Sequence, residues 1–139
     1  MFSKTCEYAL RALVIIAKGS LNGDYVKQKD ITRMLGSPEA FTAKVVQQLS
    51  KNSFVQAAKG PFGGYFIPVE IMKKLNVIEI VKVFDGADTL NKCILGLSEC
   101  PGKNPCAFHD KYVQIRERLN KELLNCSLYD VVVKNKSII

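Results

Sequence analysis

No apolar run in this sequence approaches the ~18 residues that a helical membrane span requires. The N-terminus, Met1-Phe-Ser-Lys-Thr-Cys-Glu, meets the charged Glu7 early and lacks the layout of an export signal. A cytoplasmic, reducing setting is therefore expected, in which clustered cysteines bind metal or sense redox more often than they form disulfides. Histidine is down to one residue, His109, and no nucleophile–base pair, phosphate loop or paired carboxylates stand out, so an enzyme is not expected. Acidic residues are also scarce: 13 Asp and Glu stand against 20 Lys and Arg, for a net charge of +7. The deficit is lopsided, with eleven Lys and Arg against five acids in residues 1–75 and near balance afterwards. A basic N-terminal half predicts a polyanionic partner. Nucleic acid ranks ahead of membrane, because no long basic amphipathic helix faces an apolar stripe.

What is present is ordinary in bulk and unusual in one place. With 139 residues, 47% hydrophobic and 24% charged, the chain suits one compact domain or a small domain with an appendage. Three of its five cysteines and the only histidine fall within residues 93–109, spaced C-x6-C-x5-C-x2-H as Cys93, Cys100, Cys106 and His109. Gly96, Pro101, Gly102 and Pro105 lie between them, and such a loop can fold its ends onto one centre without a helix or strand dictating direction. Thiolate and imidazole suit soft and borderline metals, so an iron–sulfur cluster and a closed Cys3His zinc site are both admitted. A third possibility needs no metal and uses disulfide formation among the three cysteines as a switch. Cys6 and Cys126 are expected to act as small buried hydrophobes.

In chain order, Ser3–Lys18 reads as an amphipathic helix capped at Ser3 or Thr5 and ended by Gly19. A short helix over Lys27–Leu35 follows, with Ile31, Met34 and Leu35 inward and Gly36 at its end. Ser37-Pro38 reads as an N-cap and first helical position for a helix to about Lys51. Phe41, Val45, Val46 and Leu49 form its buried stripe, and Glu39, Ala40, Thr42, Ala43, Lys44, Gln47, Gln48 and Lys51 are expected to face out. Two helices joined at Gly36-Ser37, the second with a small and polar outer face, predict a helix-turn-helix. Short side chains at Ala40, Thr42 and Ala43 would allow close approach to a groove, while Lys44, Gln47 and Gln48 reach base edges or phosphates. Strands at 54–58 and 65–67 flank the turn Lys59-Gly60-Pro61-Phe62-Gly63-Gly64, which makes a wing. There Lys59 would enter a minor groove, and the backbone at Gly60, Gly63 and Gly64 would approach phosphate.

The remainder predicts a helix over Val77–Phe84 capped by Asn76, then the cysteine loop, then a long helix from Cys106 to about Asn125. Phe108, Tyr112, Ile115, Leu119 and Leu123 recur along that helix as an apolar stripe suited to pairing with a second copy. A last helical turn over Ser127–Val133 and a frayed end at 134–139 complete the chain. The expected class is mainly α with a small β-hairpin wing: a winged helix-turn-helix over 1–75, and a sensor loop with a dimerisation helix over 76–139.

Four stretches together resemble the Rrf-type winged-helix regulators, the IscR- and NsrR-like iron–sulfur family. They are Tyr8-Ala-Leu-Arg-Ala-Leu13, Phe41 to Leu49, Lys59-Gly-Pro-Phe-Gly-Gly-Tyr65, and the Cys93/Cys100/Cys106 loop. The resemblance runs to about Asp130. It implies a dimeric protein that binds duplex DNA, with residues near Ala40–Lys44 in the major groove, Lys59 in the minor groove, and a cluster whose state sets operator affinity. It also implies a [2Fe–2S] or [4Fe–4S] centre with His109 as fourth ligand, the alternative being Glu7 of the partner subunit. The sequence departs from the pattern in a six-residue first cysteine gap where five is usual, and in lysine rather than arginine at the wing. Ala43 and Lys44 also replace acidic and amide residues.

Overall fold

The computed structural model describes residues 1–98 and 104–134. The element order is α1 (Lys4–Leu21), α2 (Gln28–Leu35), α3 (Glu39–Lys51), β1 (Gln56–Ala58), β2 (Gly64–Phe66), α4 (Val69–Lys74), α5 (Val77–Asp85), a 3-10 turn (Thr89–Asn91), α6 (His109–Leu124) and α7 (Leu128–Lys134). The architecture is mainly α with a two-stranded antiparallel wing, a winged helix-turn-helix. Among the described residues no helix is long and apolar enough to cross a membrane.

The first helix is the hub. Ser3 caps it by accepting from the Cys6 N–H at 3.1 Å. Its buried face carries Ala9, Ala12, Leu13, Ile16 and Ala17, against which α2, α3, α5 and α7 all pack. Leu13, Ile16, Ile31, Leu49 and Ile67 are fully buried, each stabilising the fold by about 1.5–3 kcal/mol. The helix does not stop at Gly19. It runs to Leu21, because glycine there admits Val26: a Cβ at Gly19 would lie 2.3 Å from Val26 Cγ2. Helical Ser20 then does structural work, its hydroxyl donating to the Ile16 carbonyl at 2.8 Å and accepting from the Ile67 N–H at 2.9 Å. The end of the wing is thereby tied to α1.

The helix-turn-helix has the expected joint, with Gly36 in the left-handed region at φ 63°. Met34, expected inward, is 52% exposed, because α2 buries only the Ile31–Leu35 line one turn apart. The third helix begins at Glu39, with Pro38 at its cap and no side-chain cap bond from Ser37. Pro68 opens a further helix, α4, where the sequence predicts none, and this short element buries Met72 fully.

α6 starts at His109 rather than Cys106 and has no buried residue of its own. Leu119 and Leu123 lean on a second small core of Cys6, Ile78, Val81 and Leu90, while Phe108, Ile115 and Leu124 stand more than half exposed. The expected stripe is thus split: its C-terminal part serves the chain's own core and Ile115 faces away. α7 is more than a last turn, since Leu128 and Val132 are buried and the helix returns to α1 and α4. Val77 N–H donates to the Cys126 carbonyl at 2.9 Å and Leu128 N–H to the Leu75 carbonyl at 2.8 Å, about an Asn76–Ser127 bridge. The frayed end expected from 134 onward lies, beyond Lys134, outside the described residues.

Candidate DNA-reading face and thiol site

The turn between α2 and α3 is set by polar contacts that the sequence does not advertise. Ser37 and Thr42 are buried, and their hydroxyls pair at 2.6 Å. Thr42 Oγ1 also reaches the Pro38 carbonyl at 3.2 Å. Thr42 therefore does not face out as expected. At the first turn of α3 its hydroxyl finds partners inside the joint, and the residue is fully buried. Behind the joint, Arg11 donates to the Leu35 carbonyl at 3.5 Å and lies over the Tyr8 ring, which meets Phe41 edge-on at 5.2 Å. Arg11 thus ties α1 to the end of α2, and Tyr8 ties α1 to α3.

With Ser37 and Thr42 inward, the outer face of α3 carries Ala40, Lys44 and Gln47 exposed, and Ala43 and Gln48 half-buried. Ala43, Gln47 and Lys51 form one wall of an open groove whose other wall is Gln28, Ala57 and Tyr65. The groove joins α3 to the wing. Gln28 and Ala57 are not marked by any sequence pattern, and the convergence of Lys51 and Tyr65 with them appears only when the folded chain brings three separated segments together.

The wing pairs Gln56 with Phe66, Ala57 with Tyr65 and Ala58 with Gly64. Val26 braces it through a reciprocal bridge to Tyr65, with N–O distances of 2.9 and 2.8 Å. The tip turns at Gly60, where φ is 99°, and the Gly63 N–H closes it on the Gly60 carbonyl at 3.0 Å. A Cβ at Gly63 would lie 2.1 Å from the Ala58 carbonyl oxygen and one at Gly64 2.7 Å from that of Val26. Both glycines are thus required for close backbone approach, whatever else they touch. Lys59 is exposed at the start of this tip.

Further along the chain, Cys93 follows the 3-10 turn and is 7% exposed, and Cys106 is half-buried just before α6. Their sulfurs stand 3.7 Å apart across thirteen residues of sequence. The His109 N–H donates to the Cys106 carbonyl at 2.9 Å, placing the histidine one turn beyond it at the head of α6. Arg116 and Asn120 of α6 donate to the carbonyls of Asn91 and Leu90 at 2.9 and 3.4 Å, fixing the helix to the turn that presents Cys93. Cys100 lies outside the described residues. Among those described, no three Cys, His, Asp or Glu side chains converge closely enough to hold a metal ion.

Donor chemistry nonetheless suits a metal. Two thiolates at about 2.3 Å from one tetrahedral ion are necessarily about 3.8 Å apart, close to the observed separation. Glu7 lies on α1 and pairs with Lys4 of its own chain at 3.0 Å. Cys6 is fully buried, and burial with the neighbouring Asp85 carboxylate pushes its thiol up to about 12. A thiol so raised offers almost no thiolate at neutral pH. Cys126 is half-buried rather than buried, and its thiol is raised chiefly by desolvation and then by Asp130.

The Rrf2 family model, described as an iron-dependent transcriptional regulator, matches residues 2–134. An Aquifex aeolicus protein named as an HTH-type transcriptional regulator is 32% identical over 135 residues, covering 95% of this chain and 91% of its own length. The HTH-type transcriptional regulator IscR of Xenorhabdus nematophila is 27% identical over 132 residues, covering 95% and 78%. Among solved structures, CymR, the global cysteine regulator of B. subtilis, superposes with a TM-score of 0.76 at 20% identity over 98% of both chains. IscR of T. potens does so with 0.70 at 18% identity over 96% of this chain and 87% of its own. These two likenesses concern the fold.

Proposed function

The chain belongs to the Rrf2 family of DNA-binding transcriptional regulators, which are not enzymes, and from that premise we propose a homodimeric operator-binding protein controlled by an iron–sulfur centre. Cys93, Cys100, Cys106 and His109 would hold the centre. The observation that carries this reading is the 3.7 Å approach of Cys93 and Cys106 at the base of α6. The IscR relatives add weight, since the family description is iron-dependent. When bound, such a centre supplies a group that responds to redox, nitric oxide or iron–sulfur status. The chain's own part is mechanical. Bound through Cys93 and Cys106, the centre would add to the Arg116 and Asn120 hydrogen bonds that hold α6 to the 3-10 turn; α6 and α5 share the core around Cys6, and α5 packs on α1, the hub for α2 and α3. Movement at the thiols thus has a packed route to the reading helices, whose spacing on half-sites about one DNA turn apart decides binding.

The same close pair supports a second reading, in which zinc takes these donors or the two thiols form a disulfide as a switch. Colour separates them. Protein purified without oxygen should be brown, with sulfur-to-iron charge-transfer bands and matching iron and sulfide. Colourless protein that contains zinc, or that gains a Cys93–Cys106 disulfide on oxidation, would replace the iron–sulfur reading.

On the DNA side, Ala40, Ala43, Lys44, Gln47 and Gln48 are assigned to the major groove, and Lys59 with the backbone of Gly60, Gly63 and Gly64 to the adjacent minor groove. Ser37 and Thr42 contribute by setting the angle of α3. Lys59→Ala should weaken duplex binding at all sequences and lower the slope of log affinity against log salt by about one. Titrations across about 50–200 mM salt measure both effects. An unchanged slope removes Lys59 from the interface.

A further inference from the structure

The wing tip carries a side chain that the fold barely covers. Among the described residues Phe62 is the most exposed large hydrophobic group, at 92%. It occupies a central position of the Gly60–Gly63 turn, beside Pro61, whose ring fixes the backbone. The tip is not loosely built: Gly63 and Gly64 press backbone on backbone, and Val26 braces the return strand. The aromatic ring is thus held out from a rigid hairpin, three residues from the exposed cation Lys59.

We infer that Phe62 is an apolar wedge that enters the minor groove and partly unstacks one base step, so that the protein reads DNA deformability as well as base edges. This rests on the operator-binding reading above. The occupant is chosen by what adjoins the ring. Lys59, exposed on the same tip, supplies charge complementary to phosphate, and the hairpin that bears both residues is one wall of the groove against α3. Pro61, Phe62 and Gly63 also border a cleft lined by Asp24, Tyr25, Lys27 and Asp30. A minor groove about 6 Å wide admits an aromatic ring edge-on, and phenylalanine is among the side chains that open base steps from that side. Flexible pyrimidine–purine steps open most easily, so the sequence preference should appear at a position that no hydrogen bond reads.

The probe is duplex DNA selected by the wild-type protein from a random-sequence pool, with wild type, Phe62→Ala, Phe62→Leu and Lys59→Ala compared on it. Phe62→Ala should lose about tenfold in affinity, the scale of one base–aromatic stack, with an unchanged salt slope because no charge is removed. Electrophoretic bend analysis should show a smaller bend, 2-aminopurine at the contacted step should lose its unstacking signal, and preference at that step should flatten. Phe62→Leu should restore part of the bend. Helical content and thermal midpoint should not move. Wild-type affinity, bend and step preference in Phe62→Ala would overturn the wedge while leaving DNA binding in place. Failure of the wild type to select any DNA would instead overturn the operator-binding reading itself.

Discussion

Serine at Cys93, Cys100 or Cys106 is expected to lower the iron content of anaerobically prepared protein by about tenfold or more, because a hydroxyl is a far poorer donor to soft metal than a thiolate. Serine at Cys6 or Cys126 should leave iron in place. The buried Cys6 thiol, pushed up to about 12, has little thiolate to offer, and it belongs to the small core under α6. His109→Ala should give a more labile centre rather than none, since water, an exogenous thiol or Glu7 of the partner subunit can fill one position. Loss of the centre should leave the hydrogen bonds of Arg116 and Asn120 as the remaining ties between the 3-10 turn and α6 and change operator affinity by about 5- to 150-fold, the usual span of coupling between sites. Helical content should stay nearly constant, because α1, α2 and α3 are held by their own core. Full iron in the three serine variants, or equal operator affinity with and without iron, ends the sensor mechanism.

The second large effect is on assembly. Ile115→Asp should convert a dimer into a monomer at the micromolar concentrations of a sedimentation experiment. Ile115 is 64% exposed and Leu124 51%, on a helix with no buried residue in the single chain. An unpaired carboxylate forced into an apolar seam costs several kcal/mol, or about a hundredfold and more in the association constant. Leu119→Asp is the less clean test, because Leu119 also packs on Ile78, Val81 and Leu90 and its loss would disturb the chain's own fold. A wild-type protein that sediments as a monomer would contradict the pairing of α6. So would Ile115→Asp behaving as a dimer.

Much of the reading head was legible because its signals are local. Ser3 at a cap, glycine at the α2 end, the Val45–Leu49 stripe and the glycine-rich wing each act within a few residues. Errors arose where a residue answers to a distant neighbour. Gly19 looks like a helix stop, yet it is small to let Val26 pass. Thr42 looks like surface, yet its hydroxyl closes on Ser37 inside the joint. The helix after Pro68 is six residues long, too short to persist without the packing that holds Met72. At the thiol site, composition named Cys93 and Cys106, but a glycine- and proline-rich loop has no period from which a 3.7 Å approach could be derived. Gln28 carries no motif, and Tyr65, the end of the wing motif, shows its place in the groove only once the chain is folded.

The Asn76–Ser127 bridge has a further consequence. It brings together the two points where residues 77–126 leave and rejoin the rest of the chain, and α7 then completes the core of α1 and α4. In topological terms residues 77–126 form a long loop closed at its neck, although α5 within it stays seated on α1, with Ile80 fully buried in the main core. The two backbone hydrogen bonds beside the bridge, Val77 to Cys126 and Leu128 to Leu75, close that neck without drawing on the cysteine loop, so the junction of α4 with α7 is held independently of what happens there.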